Sequence, residues 1–299
     1  MVVRVPVIDV RAHPHTAAAA LAHDPLQETQ LLYGERVRLL GVEQGWVRVE
    51  AIEQPEFTHA TRWQGYPGWL PADALMPQEA ARVPTVVVTQ PWAQTWLDRE
   101  RTRPSSWRVP MGGMVPADPA GQDGWRVTGP DGSILWMARA SARALAEARA
   151  LAPAERRAQI VRAAASLIGT AYFWGGRSPH DARATTPTGV DCSGLVNLAY
   201  RTVGMELPRD AHEQSLRARR PSGLQPADLI FLSERGNPRR IVHVMLYAGD
   251  GEIIEAPGTG QDVRRISLVK RLGRPLTQLA PGDVIEGQRV AFGTFFPSS

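Results

Sequence analysis

The sequence predicts an α+β protein in which two small β-barrel units precede a larger domain of mixed helices and strands. Short runs of alternating apolar residues, separated by glycine turns, fill residues 1–80 and recur in residues 81–141, which is typical of strands. The composition then shifts to alanine, leucine, arginine and glutamate, which favour helices, and the mixed domain covers residues 142–299. A chain of 299 residues is long enough to bury several separate cores.

The two β-rich segments resemble each other closely enough to be copies of one unit. GWVRVE and GWLPADAL in the first segment are echoed by GWRVTG and ILWMARA in the second. On this match Trp46 corresponds to Trp125, and Trp69 corresponds to Trp136. A repeat of short strands, turns and tryptophans favours two small barrels. We interpret most of the nine tryptophans as packing residues.

Composition excludes several classes of function. The net charge is +4, but the arginines are scattered and Lys270 is the only lysine, so no clustered basic patch predicts nucleic-acid binding. The single cysteine rules out an internal disulfide, and the close pair His13 and His15 reads as a surface loop, so we expect neither metal nor cofactor. No apolar run approaches the roughly 20 residues that span a bilayer. No signal-peptide pattern opens the chain, so we expect a cytoplasmic protein, or an exported or wall-associated one if a leader has been removed.

The segment GVDCSGLVNLAYRTVGM predicts an amphipathic helix that ends at Gly204. Cys192 then lies in the first turn, near the positive end of the helix dipole, where a thiolate is stabilised. A lone cysteine is more often an inert buried residue than a nucleophile. Its place at a helix start makes Cys192 a candidate nucleophile.

The segment HVMLYAGDGEIIEAPG predicts a β-hairpin, and its register decides whether His243 and Glu255 meet. A two-residue turn at 250–251 puts the two side chains on opposite faces of the hairpin. A three-residue loop at 249–251 places Glu255 opposite Met245, so that His243 and Glu255 become diagonal neighbours on one face. The alternative is an edge-strand histidine beside a solvated glutamate. A cysteine, a histidine and a carboxylate together are the parts of a thiol acyl-transfer site.

Five segments, YFWGG, DCSGLV, LPRDAHEQ, QPADLIFL and HVMLYAGDGEIIEAPG, occur in the order found in the NlpC family of papain-like cell-wall cysteine peptidases, which this chain resembles over about residues 155–265. DPLQETQLLYGERV and GYPGWLP resemble the bacterial SH3-like domains of γ-D-glutamyl-L-diamino-acid endopeptidases, which recycle murein peptides. The resemblance implies two SH3-like barrels before a papain-like catalytic domain. It makes Cys192 the nucleophile and His243 the base, and it places Glu255 as third residue, where the family most often carries histidine.

The resemblance also implies a site for the free ammonium of a substrate that begins with L-Ala-γ-D-Glu. The matching positions are Glu35, Tyr66 and Asp210, and a buried ammonium does need anionic partners. Four further residues are expected to line the substrate groove: Tyr172, Trp174, Asp191 and Ser193. Taken without the resemblance, Glu35 and Asp210 read as exposed turn acids, and Tyr66 and Trp174 read as packing aromatics.

The sequence is compatible with three functions. The first is an endopeptidase that hydrolyses the bond from γ-D-Glu to the diamino acid in small murein peptides with a free amino-terminal L-Ala. The second is a hydrolase of intact peptidoglycan that uses its SH3-like domains as wall anchors. The third is a binding module without activity. No obligate protein partner and no membrane are implied. Residues 177–189 are an insertion that we expect to be a surface loop at one rim of the groove.

Overall fold

The computed structural model describes residues 1–15, 23–78, 81–183 and 187–297. Two regions made of strands are followed by a region of mixed helices and strands, in the predicted order. The predicted boundary at residue 80 lies outside the described residues. Within the described ranges, no helix combines the length and the apolar character that crossing a membrane requires.

The first β unit consists of strands β1 to β7. Their bounds are Val2–Val3, Val7–Arg11, Gln27–Leu32, Val37–Glu43, Trp46–Glu56, Gln64–Pro71 and Leu75–Met76. The main sheet has the order β3-β2-β6-β5-β4 with antiparallel neighbours, and β1 pairs with β7. Alternate residues point inward, so that Val49 and Leu70 lie in the core while Arg48 is exposed.

The second β unit consists of strands β8 to β15. Their bounds are Val86–Val88, Trp92–Trp96, Pro104–Pro110, Met114–Val115, Ala117–Pro119, Gly124–Thr128, Ile134–Ala138 and Ala142–Ala144. One sheet has the order β10-β9-β14-β13-β12 and the other the order β11-β8-β15. Because β15 pairs with β8, strand pairing carries this unit to Ala144, just beyond the boundary expected at residue 141.

The two units share a hairpin, but only one of the two tryptophan correspondences holds. Trp69 lies opposite Arg48 in the first unit, and Trp136 lies opposite Arg126 in the second. Trp46, two residues before Arg48, shares a face with Trp69. Trp125 directly precedes Arg126, so it points to the other face and is 2% exposed. A slip of one residue along a strand exchanges the faces of a sheet, and the match of Trp46 with Trp125 is therefore wrong.

The third region contains helices α1 to α5 and strands β16 to β21. The helices are Leu145–Ala150, Pro153–Ala165, Cys192–Arg201, Ala211–Arg217 and Leu268–Leu272. The strands are Leu229–Glu234, Asn237–Gly249, Glu252–Glu255, Arg264–Ser267, Val284–Ile285 and Gln288–Gly293. Pro153 begins α2, where a missing backbone N–H costs nothing.

An antiparallel sheet with the order β19-β18-β17-β16-β21-β20 separates the helices of the third region. Helix α3 is buried along its whole length and packs against one face through residues such as Leu195 and Leu198, which join Phe231 and Leu246 in one core. Helix α5 covers the other face with Leu268. This packing brings the start of α3 next to strand β17.

Candidate active site

Cys192 is the first residue of α3, as predicted, and it is nearly buried. Asp191 caps the helix, since its Oδ1 accepts a hydrogen bond of 2.6 Å from the backbone N–H of Gly194. The cap fixes the direction in which the first turn leaves the preceding loop. The Cys192 thiol therefore stands at the positive end of the helix dipole.

The hairpin between β17 and β18 closes with the shorter of the two turns considered, but not with the register expected for it. Asp250 and Gly251 form a two-residue turn, and both have positive φ (53° and 74°), as a type I′ turn requires. Ala248 is left without a partner, and this bulge shifts the register by one residue. Because of the bulge, the two strands pair beyond Ala248 as they would around a three-residue loop. His243 and Glu255 consequently meet on one face.

His243 and Glu255 are joined by a contact of 2.9 Å between Nε2 and Oε2. Nε2 is thus occupied, and Nδ1 is the ring nitrogen left to face the thiol of Cys192. Burial lowers the pKa of His243, but hydrogen bonds and negative charge from Cys192 and Glu255 outweigh burial and raise the pKa to about 9. Burial opposes the charge on Glu255, yet the imidazole and two arginines lower its pKa to about 2. We call Cys192 and His243 the catalytic pair.

A cavity of about 740 Å³ adjoins Cys192 and is walled by the first β unit as well as by the third region. Six of the predicted substrate residues line it: Tyr66, Tyr172, Trp174, Asp191, Ser193 and Asp210. Trp174 is 45% exposed, so its ring is available for contact with a ligand. Burial raises the pKa of Tyr172 above its ordinary value, which keeps the hydroxyl neutral.

One end of the cavity holds a cluster of acids around Tyr66. Its hydroxyl lies 3.2 Å from Oε2 of Glu28 and 3.2 Å from Oδ2 of Asp210. One hydroxyl proton can be donated to only one carboxylate at a time, so the other retains free acceptor capacity. Although 40% of the Asp210 side chain is accessible from the cavity, burial among protein atoms raises its pKa to about 7 against the opposing charge of Arg209. We call Glu28, Tyr66 and Asp210 the acidic cluster.

Glu35 is not part of this cavity, so its expected role at the ammonium is wrong. The side chain is fully buried between the first β unit and the third region, where Oε1 lies 2.7 Å from Nη2 of Arg177 and 3.3 Å from Nη2 of Arg201. These two guanidiniums compensate the buried carboxylate, which has no route to a ligand. The cavity position belongs to Glu28, an acid of the same DPLQETQLLYGERV segment. The sequence offered two glutamates there without a signal to choose between them.

Asp191 and Ser193 face the cavity but bind mainly to a buried arginine that sequence reasoning missed. Arg209 of the LPRD segment contacts Asp191 through two nitrogens, at 2.7 Å and 3.1 Å, and donates to Oγ of Ser193 at 2.9 Å. The carboxylate of Asp191 is thereby neutralised and immobile. The first turn of α3 is held by this arrangement, and with it the position of Cys192.

His59 is a second residue of the cavity that the sequence did not indicate. Its Nδ1 lies 3.0 Å from Oε2 of Glu56, and its Nε2 lies 3.5 Å from Oε2 of Glu28. The hydrogen bond with Glu28 raises the pKa of His59 to about 9, with Glu56 acting in the same direction against partial burial. His59 therefore carries a positive charge at neutral pH and partly balances the acidic cluster.

Part of the insertion at residues 177–189 is buried, and so it differs from the surface loop that we expected. Arg177 is completely buried, and Asp181 forms an ion pair with Arg108 of the second β unit. The indole N–H of Trp92 donates to the carbonyl of His180 at 3.1 Å. Residues 184–186 lie outside the described residues. The described part of the insertion contacts the second β unit and does not line the cavity. Among all described residues, no group of three or more histidine, cysteine or acidic side chains could bind a metal ion.

Comparison with known proteins identifies relatives across the chain. Residues 169–285 match the model of the NlpC/P60 family. A γ-D-glutamyl-L-lysine dipeptidyl-peptidase of Bacillus cereus is 29% identical over 247 residues, which are 81% of this chain and 70% of that protein. The peptidoglycan endopeptidase RipB of Mycobacterium tuberculosis is 34% identical over 211 residues, 68% of this chain and 76% of RipB.

The fold is that of a solved relative over its whole length. The crystal structure of an NlpC/P60 family protein from Bacillus cereus matches with a TM-score of 0.74 and 24% identity, and the match covers 99% of each chain. A cysteine at a helix start, a histidine and a carboxylate stand together here as the family resemblance implied. The chain belongs to the NlpC/P60 family and is a cysteine peptidase.

Proposed function

We propose that this peptidase hydrolyses the bond between γ-D-Glu and the following diamino acid in murein peptides whose amino-terminal L-Ala is free. The observation that carries the proposal is the acidic cluster at one end of the cavity that holds Cys192. Acids that are partly withdrawn from water need a cationic partner, and a peptide ammonium supplies one. Two relatives named γ-D-glutamyl-L-lysine dipeptidyl-peptidases, from Bacillus cereus and Bacillus subtilis, support this substrate class.

The catalytic pair performs the reaction in two steps. The thiolate of Cys192 attacks the γ-carbonyl carbon, and a carbon–sulfur bond forms as the carbonyl electrons move to oxygen. When the carbon–nitrogen bond breaks, the imidazolium of His243 gives its proton to the leaving amine. His243 then takes a proton from water, and the hydroxide displaces the thiolate from the thioester. Glu255 is the third residue, since it fixes the tautomer of His243 and stabilises the imidazolium.

The acidic cluster binds the ammonium of L-Ala in this proposal. Glu28 and Asp210 supply the negative charge, and Tyr66 orients both carboxylates through its hydroxyl. Tyr172 and Trp174 lie along the groove and contact the apolar parts of the peptide. Asp191 and Ser193 border the same groove near Cys192. In this arrangement the first β unit forms one wall of the active site.

We infer that the two β units are SH3-like domains, expected at residues 1–80 and 81–141, and that the catalytic domain expected from residue 142 follows the strand that extends the second unit to Ala144. Both units contain a five-stranded antiparallel sheet with short strands and tight turns, which supports this inference. The cytoplasmic location stays a prediction. No nucleic acid, membrane or obligate partner enters the proposed reaction.

The second candidate is hydrolysis of intact peptidoglycan, with the β units as wall anchors. Its support is the similarity to RipB, which is named a peptidoglycan endopeptidase. Stem peptides still attached to glycan have no free amine at L-Ala. The acidic cluster would then have only His59 and Arg209 to balance its charge, which is less favourable for partly buried carboxylates than binding an ammonium.

The experiment compares three substrates with one enzyme preparation, and Cys192→Ala serves as the inactive control. They are L-Ala-γ-D-Glu-diaminopimelate, its N-acetylated form and intact sacculi, with products identified by mass spectrometry. We expect the free amine to be preferred by more than about a hundredfold, because acetylation removes the cation that the two carboxylates would bind. Similar rates on all three substrates would refute the proposal and favour the peptidoglycan hydrolase.

A further inference from the structure

Glu255 is contacted by more positive charge than its own neutralisation requires. Arg264 of β19 approaches Oε1 through Nε at 3.0 Å and through Nη2 at 2.7 Å. Arg271 of α5 places Nε 3.0 Å from both carboxylate oxygens. On the third side stands the imidazole of His243. Glu255 itself is inaccessible to solvent, while Arg264 and Arg271 are partly exposed.

The two arginines have different geometric effects on the carboxylate. Arg264 occupies Oε1 with two donors, which leaves Oε2 turned toward Nε2 of His243. Arg271 bridges both oxygens from the helix side and prevents the carboxylate from rotating. A carboxylate with neither arginine would have one partner, the imidazole, and about three unsatisfied lone-pair directions in a buried place.

The charges also act on the neighbouring groups. One carboxylate and two guanidiniums sum to one positive charge beside the catalytic pair. A positive field favours loss of a proton from both the thiol and the imidazolium, because it stabilises the thiolate and opposes the second cation. The charged groups that face His243 are Cys192 and Glu255, and those that face Glu255 are His243 and the two arginines.

We propose that Arg264 and Arg271 are positioning residues that aim Glu255 and set the pH range in which the catalytic pair works. The proposal rests on Glu255 being the third catalytic residue. It goes beyond that assignment, because it gives the carboxylate a fixed direction and gives the site a net positive field that a lone glutamate would not provide.

The chain contains a matched control next to one of these arginines. Arg265 is the neighbour of Arg264 on β19, points to the other face of the strand and pairs with Glu252 at the surface. Arg265→Gln removes the same charge from the same strand without touching Glu255. Any difference between Arg264→Gln and Arg265→Gln therefore reports the contact with the carboxylate.

The first readout is the rate at which iodoacetamide alkylates Cys192, measured from pH 4 to pH 10. This rate has one step where the thiolate forms and another where the imidazolium loses its proton. We expect Arg264→Gln and Arg271→Gln each to move both steps to higher pH by about half a unit, as loss of a nearby cation predicts. Arg265→Gln should leave both steps at their wild-type pH. Arg271→Lys should also leave them there, because it keeps the positive charge.

The second readout is the pH profile of kcat/KM on the murein peptide, whose two limbs should shift in the same direction. Unmoved steps in the Gln variants, or an equal shift in Arg265→Gln, would overturn the proposal. If the Arg264 variant does not fold, the pair Arg271→Gln and Arg271→Lys decides the same question. Alkylation needs no substrate, so it tests the arginines even if the peptide proves to be the wrong substrate.

Discussion

Replacing Glu28 with glutamine tests the acidic cluster with the smallest possible change. The amide keeps the shape of the side chain and an oxygen that can accept from the hydroxyl of Tyr66, which lies at 3.2 Å. It removes one negative charge, and it ends the ion pair with His59. Glu28 sits on β3 at the cavity wall and does not line the core of the first β unit, so we expect the fold to persist.

The expected loss of binding free energy in Glu28→Gln follows from the charged groups beside Glu28. A hydrogen bond to a charged group contributes about 1.5–3 kcal/mol. The low end applies here, since Asp210 remains to bind the ammonium and the cation of His59 already offsets part of the Glu28 charge. A loss of about 1.5–2 kcal/mol lowers kcat/KM about tenfold to thirtyfold on the substrate with a free amine.

The assay compares, between enzymes, the ratio of kcat/KM on the free peptide to kcat/KM on the N-acetylated peptide. For each enzyme, kcat/KM is measured on the free and the N-acetylated peptide, and Glu43→Gln, an exposed acid of β4, controls for the change in net charge. Glu28→Gln should shrink the ratio of free to acetylated substrate, whereas Glu43→Gln should leave it unchanged. A Glu28→Gln enzyme that keeps the wild-type ratio, or loses rate equally on both peptides, refutes ammonium binding by this acid.

Three further predictions concern the catalytic pair and the other acid. Cys192→Ala should lower the rate by several orders of magnitude without changing the circular dichroism spectrum, and a rate within about tenfold of wild type contradicts the mechanism. Glu255→Gln should reduce kcat less than His243→Ala, because the amide still hydrogen-bonds the ring but no longer stabilises the imidazolium; equal losses argue against this role. The pKa of Asp210 is about 7, so this carboxyl is neutral below that pH. KM for the free amine should therefore fall as the pH rises from about 6 to about 8. Asp210→Asn should flatten this change.

The parts of the site that the sequence predicted are local in the chain. A capped helix start follows from the residues around Cys192 alone, and the structure places the cap at Asp191 as such a start requires. The meeting of His243 and Glu255 was predicted for a related reason, because a hairpin joins them within a few residues. Even there the loop length alone did not decide the register, since a two-residue turn with a bulge at Ala248 gives the pairing expected of a three-residue loop.

The parts that failed depend on contacts between distant segments. Nothing local distinguishes Glu28 from Glu35, because the choice is made by Arg177 and Arg201, which are contributed by the third region. The arginines around Glu255 were missed for the same reason. The misplaced correspondence of Trp125 has another cause: the second unit has one residue fewer between its tryptophan and the following arginine, so the sequence likeness is kept while Trp125 lies on the opposite face of its strand.

Buried arginines link the helix that carries Cys192 to the cavity wall that carries the acidic cluster. At the start of α3, Arg209 contacts Asp191 and also donates through Nε to Oγ of Thr29 at 2.7 Å, and Thr29 is the neighbour of Glu28 on β3. At the end of α3, Arg201 contacts Glu53 at 2.7 Å. Removing one partner of such a buried pair costs about 3–5 kcal/mol, so the first β unit cannot move freely relative to the helix. The distance from the thiol to the acidic cluster is therefore set by the fold. Under the proposed function, this fixed distance selects peptides in which the scissile bond lies a set distance from the free amino terminus.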